Sequence, residues 1–216
     1  TRFKVVDVDI RGYGYSDKPE TPTSITEMSE EIVAVCQQEG VREAIAAGIS
    51  VGGVMVLQMG LDHPEMFKAL IMVGCSSRPS AVYEHRIEGY SRGVVGFHAQ
   101  HLKALVASEF AASRLGAYLL DRFADWDSKL SGAAIVEIFR GLQNRDQTGR
   151  LGELRMPVLV INGELDNSRQ GSEDMAGRID GAVHRVVPAT GHACCLEDPT
   201  TFDGYVNEFL EQHGYL

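Results

Sequence analysis

Short apolar runs alternate with longer, helix-length segments along most of the chain. Apolar runs of four to eight residues, bounded by Gly, Pro and polar residues, are typical of buried strands. By this criterion we predict five strands, at Phe3–Val8, Ala44–Ala47, Ala69–Val73, Pro157–Ile161 and Val183–Val187. Strands that alternate with helices indicate βαβ units. We therefore expect an α/β fold with a mainly parallel sheet and helices on both faces.

Two of the predicted helices carry explicit start signals. Ser24-Ile-Thr-Glu27 has the form of a capping box, and it starts a helix that Gly40 ends. Asp198 followed by Pro199 starts the last helix, which extends to about Gln212.

An uncharged segment runs from residue 44 to residue 61, close to the length of a membrane-spanning helix. It contains four glycines together with Ser50 and Gln58. We therefore interpret it as a buried strand, a tight turn and a buried helix at Val51–Asp62.

The region from residue 78 to residue 154 breaks the alternation, because it has helical periodicity and no convincing strand. Its clearest predicted helices are Phe97–Phe110 and Ile135–Leu142. We interpret this region as a helical lid inserted into a core formed by residues 1–77 and 155–216. Trp126, the only tryptophan, lies in the lid and is a candidate substrate-binding residue.

Charge and cysteine content restrict the partners and the compartment. Thirty acidic residues against 20 basic residues give a formal charge of −10, which repels nucleic-acid phosphates and anionic lipids. We expect neither nucleic acid nor a membrane surface as a partner. The four cysteines show no C-x-x-C spacing, so we expect reduced thiols and a cytoplasmic protein.

Gly48-Ile-Ser-Val-Gly52 matches the G-x-S-x-G nucleophile elbow, with a predicted strand before it and a predicted helix after it. Such a turn presents the serine hydroxyl above the sheet, and the Val51 N–H could donate to a developing oxyanion. The alternative is a glycine-rich turn in front of a core helix.

A serine nucleophile needs a base, and the base needs an acid that orients it. Asp166 follows a predicted strand directly, and His192 lies between the last strand and the last helix. Together with Ser50 they stand in the order Ser, Asp, His that the elbow motif requires. Glu164 is a less favoured substitute for Asp166, which could instead be an ordinary turn residue. We interpret His98 and His101, one helical turn apart, as surface residues because they lack a third metal ligand.

These motifs resemble the α/β-hydrolase superfamily, in particular its lid-bearing branch of esterases, enol-lactonases and C–C-bond hydrolases. The matching stretches span nearly the whole chain, at Asp9–Pro19, Gly48–Gly53, Gly163–Asp166, Gly191–His192 and Glu197–Pro199. The resemblance implies that Asp9–Pro19 is a structural turn near the site and that Glu197 supports the last helix. Serine at position 50 separates the chain from relatives whose elbow carries aspartate, such as haloalkane dehalogenases and epoxide hydrolases.

Family members carry two or three further strands in front of the one that matches Phe3–Val8. The last of these ends in a loop that supplies a second oxyanion N–H. Because the segment that resembles the family begins at Thr1 without these strands, we expect the natural N-terminus to lie upstream. The alternatives are a rearranged fold and a second chain that fills the gap. A chain that starts at Thr1 is expected to fold poorly. The residue that supplies the second oxyanion N–H is unknown, and the Gly12–Gly14 turn is one candidate.

The sequence therefore predicts a serine hydrolase that acts by acyl transfer on a small ester or lactone. Ser50 is the expected nucleophile, His192 the base and Asp166 the orienting acid. The alternatives are C–C-bond hydrolysis of a vinylogous diketone and a receptor-like protein that binds a ligand without turnover. The expected partner is a small, partly hydrophobic substrate, and no metal or organic cofactor is implied. The sequence leaves the oligomeric state open.

Overall fold

The computed structural model describes residues 3–216, which contain a single four-stranded sheet in the order β1-β2-β3-β4. All neighbouring strands are parallel. The strands are β1 at Ala44–Ile49, β2 at Phe67–Val73, β3 at Val158–Gly163 and β4 at Val183–Val187. Four of the five predicted strands and the α/β class are therefore confirmed.

The predicted strand at Phe3–Val8 is wrong, because these residues form no regular secondary structure. A strand needs a neighbour that accepts and donates its backbone hydrogen bonds. Among the described residues no strand pairs with this segment, and β1 lies at the edge of the sheet with β2 as its sole neighbour. Val5 is consequently 83% exposed.

Helices α1, α2 and α10 begin and end within a residue or two of their predicted bounds. The helices of the core are α1 at Ile25–Gln38, α2 at Val51–Asp62, α8 at Arg169–Ala176, α9 at Cys194–Glu197 and α10 at Pro199–Gln212. The capping box in front of α1 is present, since the Ser24 hydroxyl accepts from the Glu27 N–H and the Glu27 carboxylate accepts from the Ser24 N–H.

The region between β2 and β3 is helical, as predicted. Its helices are α3 at Val82–Ser91, α4 at Phe97–Ala104, α5 at Ser108–Ala112, α6 at Arg114–Ala124 and α7 at Gly132–Gln143. The single helix predicted at Phe97–Phe110 is instead α4 and α5. The chain breaks between them because the Leu105 carbonyl accepts from the Ala193 N–H, and the Ala107 N–H donates to the Glu197 carboxylate.

The two faces of the sheet carry separate hydrophobic clusters, since successive strand residues point to opposite sides. On β2, Leu70 and Met72 pack in the larger cluster with α1, α2 and α7. Ala69, Ile71 and Val73 pack with α10 on the other face. Helices on both faces thus bury a sheet whose central strands are mostly apolar.

The four cysteines and the uncharged segment agree with what the sequence predicts. The cysteines Cys36, Cys75, Cys194 and Cys195 are all free thiols. None of the helices within residues 3–216 combines the length and the apolar character needed to cross a membrane. The uncharged segment forms β1, the Ser50 turn and α2, as interpreted.

The capping box predicts a measurable share of the stability. Ser24→Ala should lower the free energy of unfolding by about 1 kcal/mol, because it leaves a helix N–H without its acceptor. Ser128→Ala, at an exposed serine outside any cap, is the control and should change it by less than about 0.5 kcal/mol. Urea denaturation of the three proteins measures both values, and equal losses would contradict a capping role.

Candidate active site

Ser50 occupies a strained turn between β1 and α2. Its backbone has φ +57° and ψ −117°, a conformation that a residue with a Cβ rarely adopts. The Ser50 N–H donates to the Val73 carbonyl at 2.8 Å, which anchors the turn to the end of β2. The strain is therefore held by the sheet, and it places Ser50 at the N-terminus of α2.

Two of the three glycines around Ser50 lie where a side chain would not fit. A Cβ at Gly48 would lie 2.4 Å from the Gly52 backbone, and a Cβ at Gly53 would lie 2.7 Å from Cys75 Sγ. A Cβ at Gly52, in contrast, would meet open space. A side chain at residue 52 would therefore fit, and it is Gly48 that must be a glycine, because it lies against the Gly52 backbone.

Asp166 and His192 are hydrogen-bonded to each other. Asp166 follows the end of β3, and its carboxylate is 2% exposed. The His192 Nδ1 lies 3.0 Å from Oδ2 and 3.1 Å from Oδ1 of this carboxylate. Since an ionised carboxylate only accepts, Nδ1–H is the donor and Nε2 remains free to accept a proton.

Two neighbours that the sequence analysis missed hold the Asp166 carboxylate in place. Ser168 donates its N–H to Oδ1 at 2.8 Å and its hydroxyl to Oδ2 at 2.8 Å, while Asn162 Nδ2 donates to Oδ2 at 3.0 Å. Burial raises the pKa of Asp166, but hydrogen bonds from His192 and Ser168 outweigh it and lower the pKa to about 2. The carboxylate is therefore ionised at neutral pH.

The sequence contains an indication that Asn162 is part of the site. It is a polar residue within the apolar run of β3 and is 0% exposed. A buried amide at such a position needs hydrogen-bond partners, which identifies it as part of a polar network.

Gly74, directly after β2, is a further position that the sequence analysis missed. Its φ is +59°, and a Cβ there would lie 2.7 Å from His192 Cε1 and 3.1 Å from Asp166 Oδ2. The contact between His192 and Asp166 therefore occupies space that only glycine leaves open.

The structure brings Ser50, Val51, Asp166 and His192 to the wall of one cavity of about 760 Å³. Within residues 3–216 no hydrogen bond joins the Ser50 hydroxyl to His192. The Val51 N–H stands at the first position of α2, where no intrahelical acceptor exists, and is available to a ligand.

Glu164, the alternative orienting acid, and Gly12, in the turn proposed as an oxyanion donor, both have structural roles. The Glu164 carboxylate accepts from the Ala189 N–H at 2.9 Å, in the turn that precedes His192. The Gly12 N–H already donates to the Asp17 carbonyl at 2.9 Å, so it is not a free donor.

Trp126 lies outside the cavity wall and is 42% exposed. Its role as a substrate-binding residue stays a prediction. Its ring meets the Tyr15 ring edge-on, and Lys129 Nζ lies 4.4 Å above it. These contacts turn the indole toward the Asp9–Pro19 turn.

His98 and His101 are not surface residues, contrary to the sequence interpretation, because α4 packs them into the cavity wall. His98 Nδ1 lies 2.5 Å from Asp127 Oδ1, and His101 Nδ1 lies 2.8 Å from the Tyr90 hydroxyl. Burial, followed by the charge of Arg86, lowers the pKa of His101 to about 3. His101 is therefore neutral at physiological pH.

Glu197 connects the His192 loop to the helical region. Its carboxylate accepts from the Gly191 N–H at 2.8 Å and from the Ala107 N–H at 2.9 Å. The expected role for Glu197 at the last helix belongs to Asp198, which accepts from the Thr201 N–H and caps α10.

A methyl group at residue 74 should disrupt the contact between Asp166 and His192. Gly74→Ala should lower the free energy of unfolding by about 2 kcal/mol more than Gly40→Ala does. Gly40 is the matched control, since it also has a positive φ, +72°, but a Cβ there meets open space. Denaturation measures both losses of unfolding free energy. Similar losses would show that a Cβ at residue 74 does not disturb the contact between Asp166 and His192.

The ionisation of Asp166 should contribute to stability at neutral pH. Its folded pKa, about 2, lies below the ordinary value of 3.8, so the contribution is complete above the ordinary value and is lost as pH falls toward 2. Between roughly pH 6 and pH 3 the wild type should lose about 1 kcal/mol more stability than Asp166→Asn. Parallel pH profiles for the two proteins would contradict this assignment.

Comparison with known proteins shows the family to which the chain belongs. The α/β hydrolase fold family matches residues 1–199. The protein YisY of Bacillus subtilis, of the AB hydrolase superfamily, is 23% identical over 96% of this chain and 81% of its own length. A methyl ester esterase of pimeloyl-acyl-carrier protein from Yersinia enterocolitica is 26% identical over 97% of this chain and 84% of its own length.

Among solved structures, an enol-lactonase from Burkholderia xenovorans LB400 superposes with a TM-score of 0.86 at 18% identity. The superposition covers 94% of this chain and 79% of that one, and at this identity it is a likeness of fold. Because the family match extends over most of the sequence, the chain belongs to the α/β hydrolase fold family.

Proposed function

We propose that this protein is a serine hydrolase in which Ser50 is the nucleophile, His192 the general base and Asp166 the residue that orients His192. The observation that carries the proposal is a buried carboxylate bound to an imidazole in the wall of the same cavity as a serine held in a strained turn. Nucleophile, base and orienting acid are the parts that acyl transfer requires.

The proposed reaction has two steps. The Ser50 Oγ attacks the substrate carbonyl carbon while His192 Nε2 takes its proton, and the Val51 N–H donates to the oxyanion that forms. The bond to the leaving alcohol breaks, and His192 gives that oxygen the proton. His192 then takes a proton from water, whose oxygen attacks the acyl carbon. The Ser50–acyl bond breaks, Ser50 recovers its proton, and the carboxylic acid leaves.

Asp166 acts through His192 in this scheme. Its low pKa keeps the carboxylate charged, so it stabilises the imidazolium that forms when His192 takes the Ser50 proton. Because Asn162 and Ser168 hold the carboxylate from the other side, Asp166 is positioned before the substrate arrives.

The proposed substrate is a small ester or lactone. A relative named as a methyl ester esterase and a structural neighbour named as an enol-lactonase support this class. The cavity of about 760 Å³ has the size of a small-molecule site, with Tyr13, Tyr83 and Tyr90 in its wall. We further propose that residues 78–154 form a lid, since α3 and α4 supply part of that wall.

The nucleophile can be identified by covalent labelling. A fluorophosphonate probe should label the wild type, and Ser50→Ala should abolish both labelling and hydrolysis of p-nitrophenyl butyrate, since the attacking oxygen is gone. Ser76→Ala is the matched control, because Ser76 lines the same cavity and its hydroxyl donates to the Arg78 carbonyl. Labelling that persists in Ser50→Ala and disappears in Ser76→Ala would overturn the assignment.

A further inference from the structure

Arg86 lies in the wall of the cavity that also contains Ser50. It belongs to α3 and is half-buried. Within residues 3–216 its guanidinium takes part in no ion pair and no side-chain hydrogen bond. Burial lowers the pKa of Arg86, and the nearby group that opposes this effect is the Tyr90 hydroxyl, not a carboxylate. Arg86 is thus a partly desolvated cation that pairs with no carboxylate in the described part of the chain.

The other charged residues of the cavity do not supply that countercharge. Asp166 is paired with His192, while Asp9 and Asp174 are exposed to solvent. The two remaining arginines, Arg78 and Arg178, are exposed as well. A solvated charge at the rim interacts weakly with a ligand, whereas a half-buried cation interacts strongly.

The acidic residues of α3 also leave Arg86 unpaired. Glu84 and Glu88 lie two positions away on either side, a spacing that does not bring side chains together on a helix. Both are exposed, and Glu88 pairs with Arg92 at the end of the helix. Tyr83 and Tyr90, which do share a helix face with Arg86, both line the cavity, and the other two positions on that face, Val82 and Gly89, carry no charge.

The surroundings of Arg86 favour an anionic ligand. His101, bonded to the Tyr90 hydroxyl, is neutral, so it adds no positive charge beside Arg86. A half-buried cation without a partner costs free energy, which a ligand anion would recover. Guanidinium binds carboxylate through two parallel, charge-assisted hydrogen bonds.

We propose that the substrate carries a carboxylate in addition to its scissile carbonyl, and that Arg86 binds this carboxylate. The proposal rests on the proposed hydrolase function of Ser50. It makes Arg86 a specificity-determining residue that selects acidic esters or lactones over neutral ones of the same size.

The test uses mono-p-nitrophenyl esters of straight-chain dicarboxylic acids, from succinate to adipate, each paired with the p-nitrophenyl ester of the fatty acid of equal chain length. The wild type should prefer the acidic member of at least one pair. Arg86→Gln should lower the ratio of kcat/KM, acidic to neutral, by about 10-fold or more, through KM of the acidic ester. Arg86→Lys should restore part of the preference, because it keeps the charge and loses the planar fork.

Arg92→Gln is the matched control, since Arg92 is an exposed arginine at the end of the same helix and lies outside the cavity wall. It should leave the ratio unchanged. Ser50-dependent turnover with the same ratio in the wild type and Arg86→Gln would overturn the carboxylate site while leaving the hydrolase function intact.

A binding measurement separates the two proposals. Calorimetry with the free dicarboxylates on Ser50→Ala should show binding that Arg86→Gln, introduced into the same protein, weakens by a similar factor. If no ester is turned over but this binding is observed, the hydrolase function fails and the anion site stands. Dicarboxylate binding that is absent, or equal in both proteins, would overturn the site.

Discussion

The hydrogen bond between the Asp166 carboxylate and the His192 imidazole constrains three separate loops of this protein. It forms at the carboxyl ends of parallel strands, where the loops after β2, β3 and β4 meet. Gly74 after β2 leaves room for the imidazole, and Asp166 after β3 is held by Asn162 and Ser168. The pair therefore depends on the register of the sheet and on a residue without a side chain.

The same loops connect the sheet to the helical region. Glu197 binds one backbone N–H in the His192 loop and one at Ala107, and the Ala193 N–H donates to the Leu105 carbonyl. These bonds end α4 and start α5 against the loop that carries His192. The half-buried Glu197 carboxylate also has a raised pKa, since burial disfavours its charge. The position of the helical region is thus coupled to the position of His192.

Charge is distributed unevenly between the surface and the cavity. The chain carries a formal charge of −10, yet the cation of Arg86 is half-buried in the cavity wall and forms an ion pair with no carboxylate among residues 3–216. The exposed charges of the surface and the half-buried cation of Arg86 act on a ligand at different ranges, because solvent screens exposed charges and screens buried ones far less. The proposed selection of a ligand by charge is therefore a property of the cavity and is not reflected in the net charge.

Much of the fold could be predicted from local sequence. The apolar runs that became β1, β2, β3 and β4 and the start signals of α1 and α10 act over a few residues, so the pattern of the chain contains them. The order of Ser50, Asp166 and His192 along the chain was likewise readable, because the loop after a strand predicts where a side chain lies in a parallel sheet.

The remaining features depend on residues distant in sequence. Phe3–Val8 has the composition of a strand, but a strand exists only where a neighbour pairs with it, and β1 has no second neighbour among the described residues. The break between α4 and α5, the burial of His98 and His101, and the position of Trp126 follow from packing against other elements. The sequence by itself determined the four strands of the sheet, the helices α1, α2 and α10, and the order of the candidate residues. Tertiary structure alone decided which polar groups are paired and which, like Arg86, are left without a partner, because pairing is a property of contacts in space.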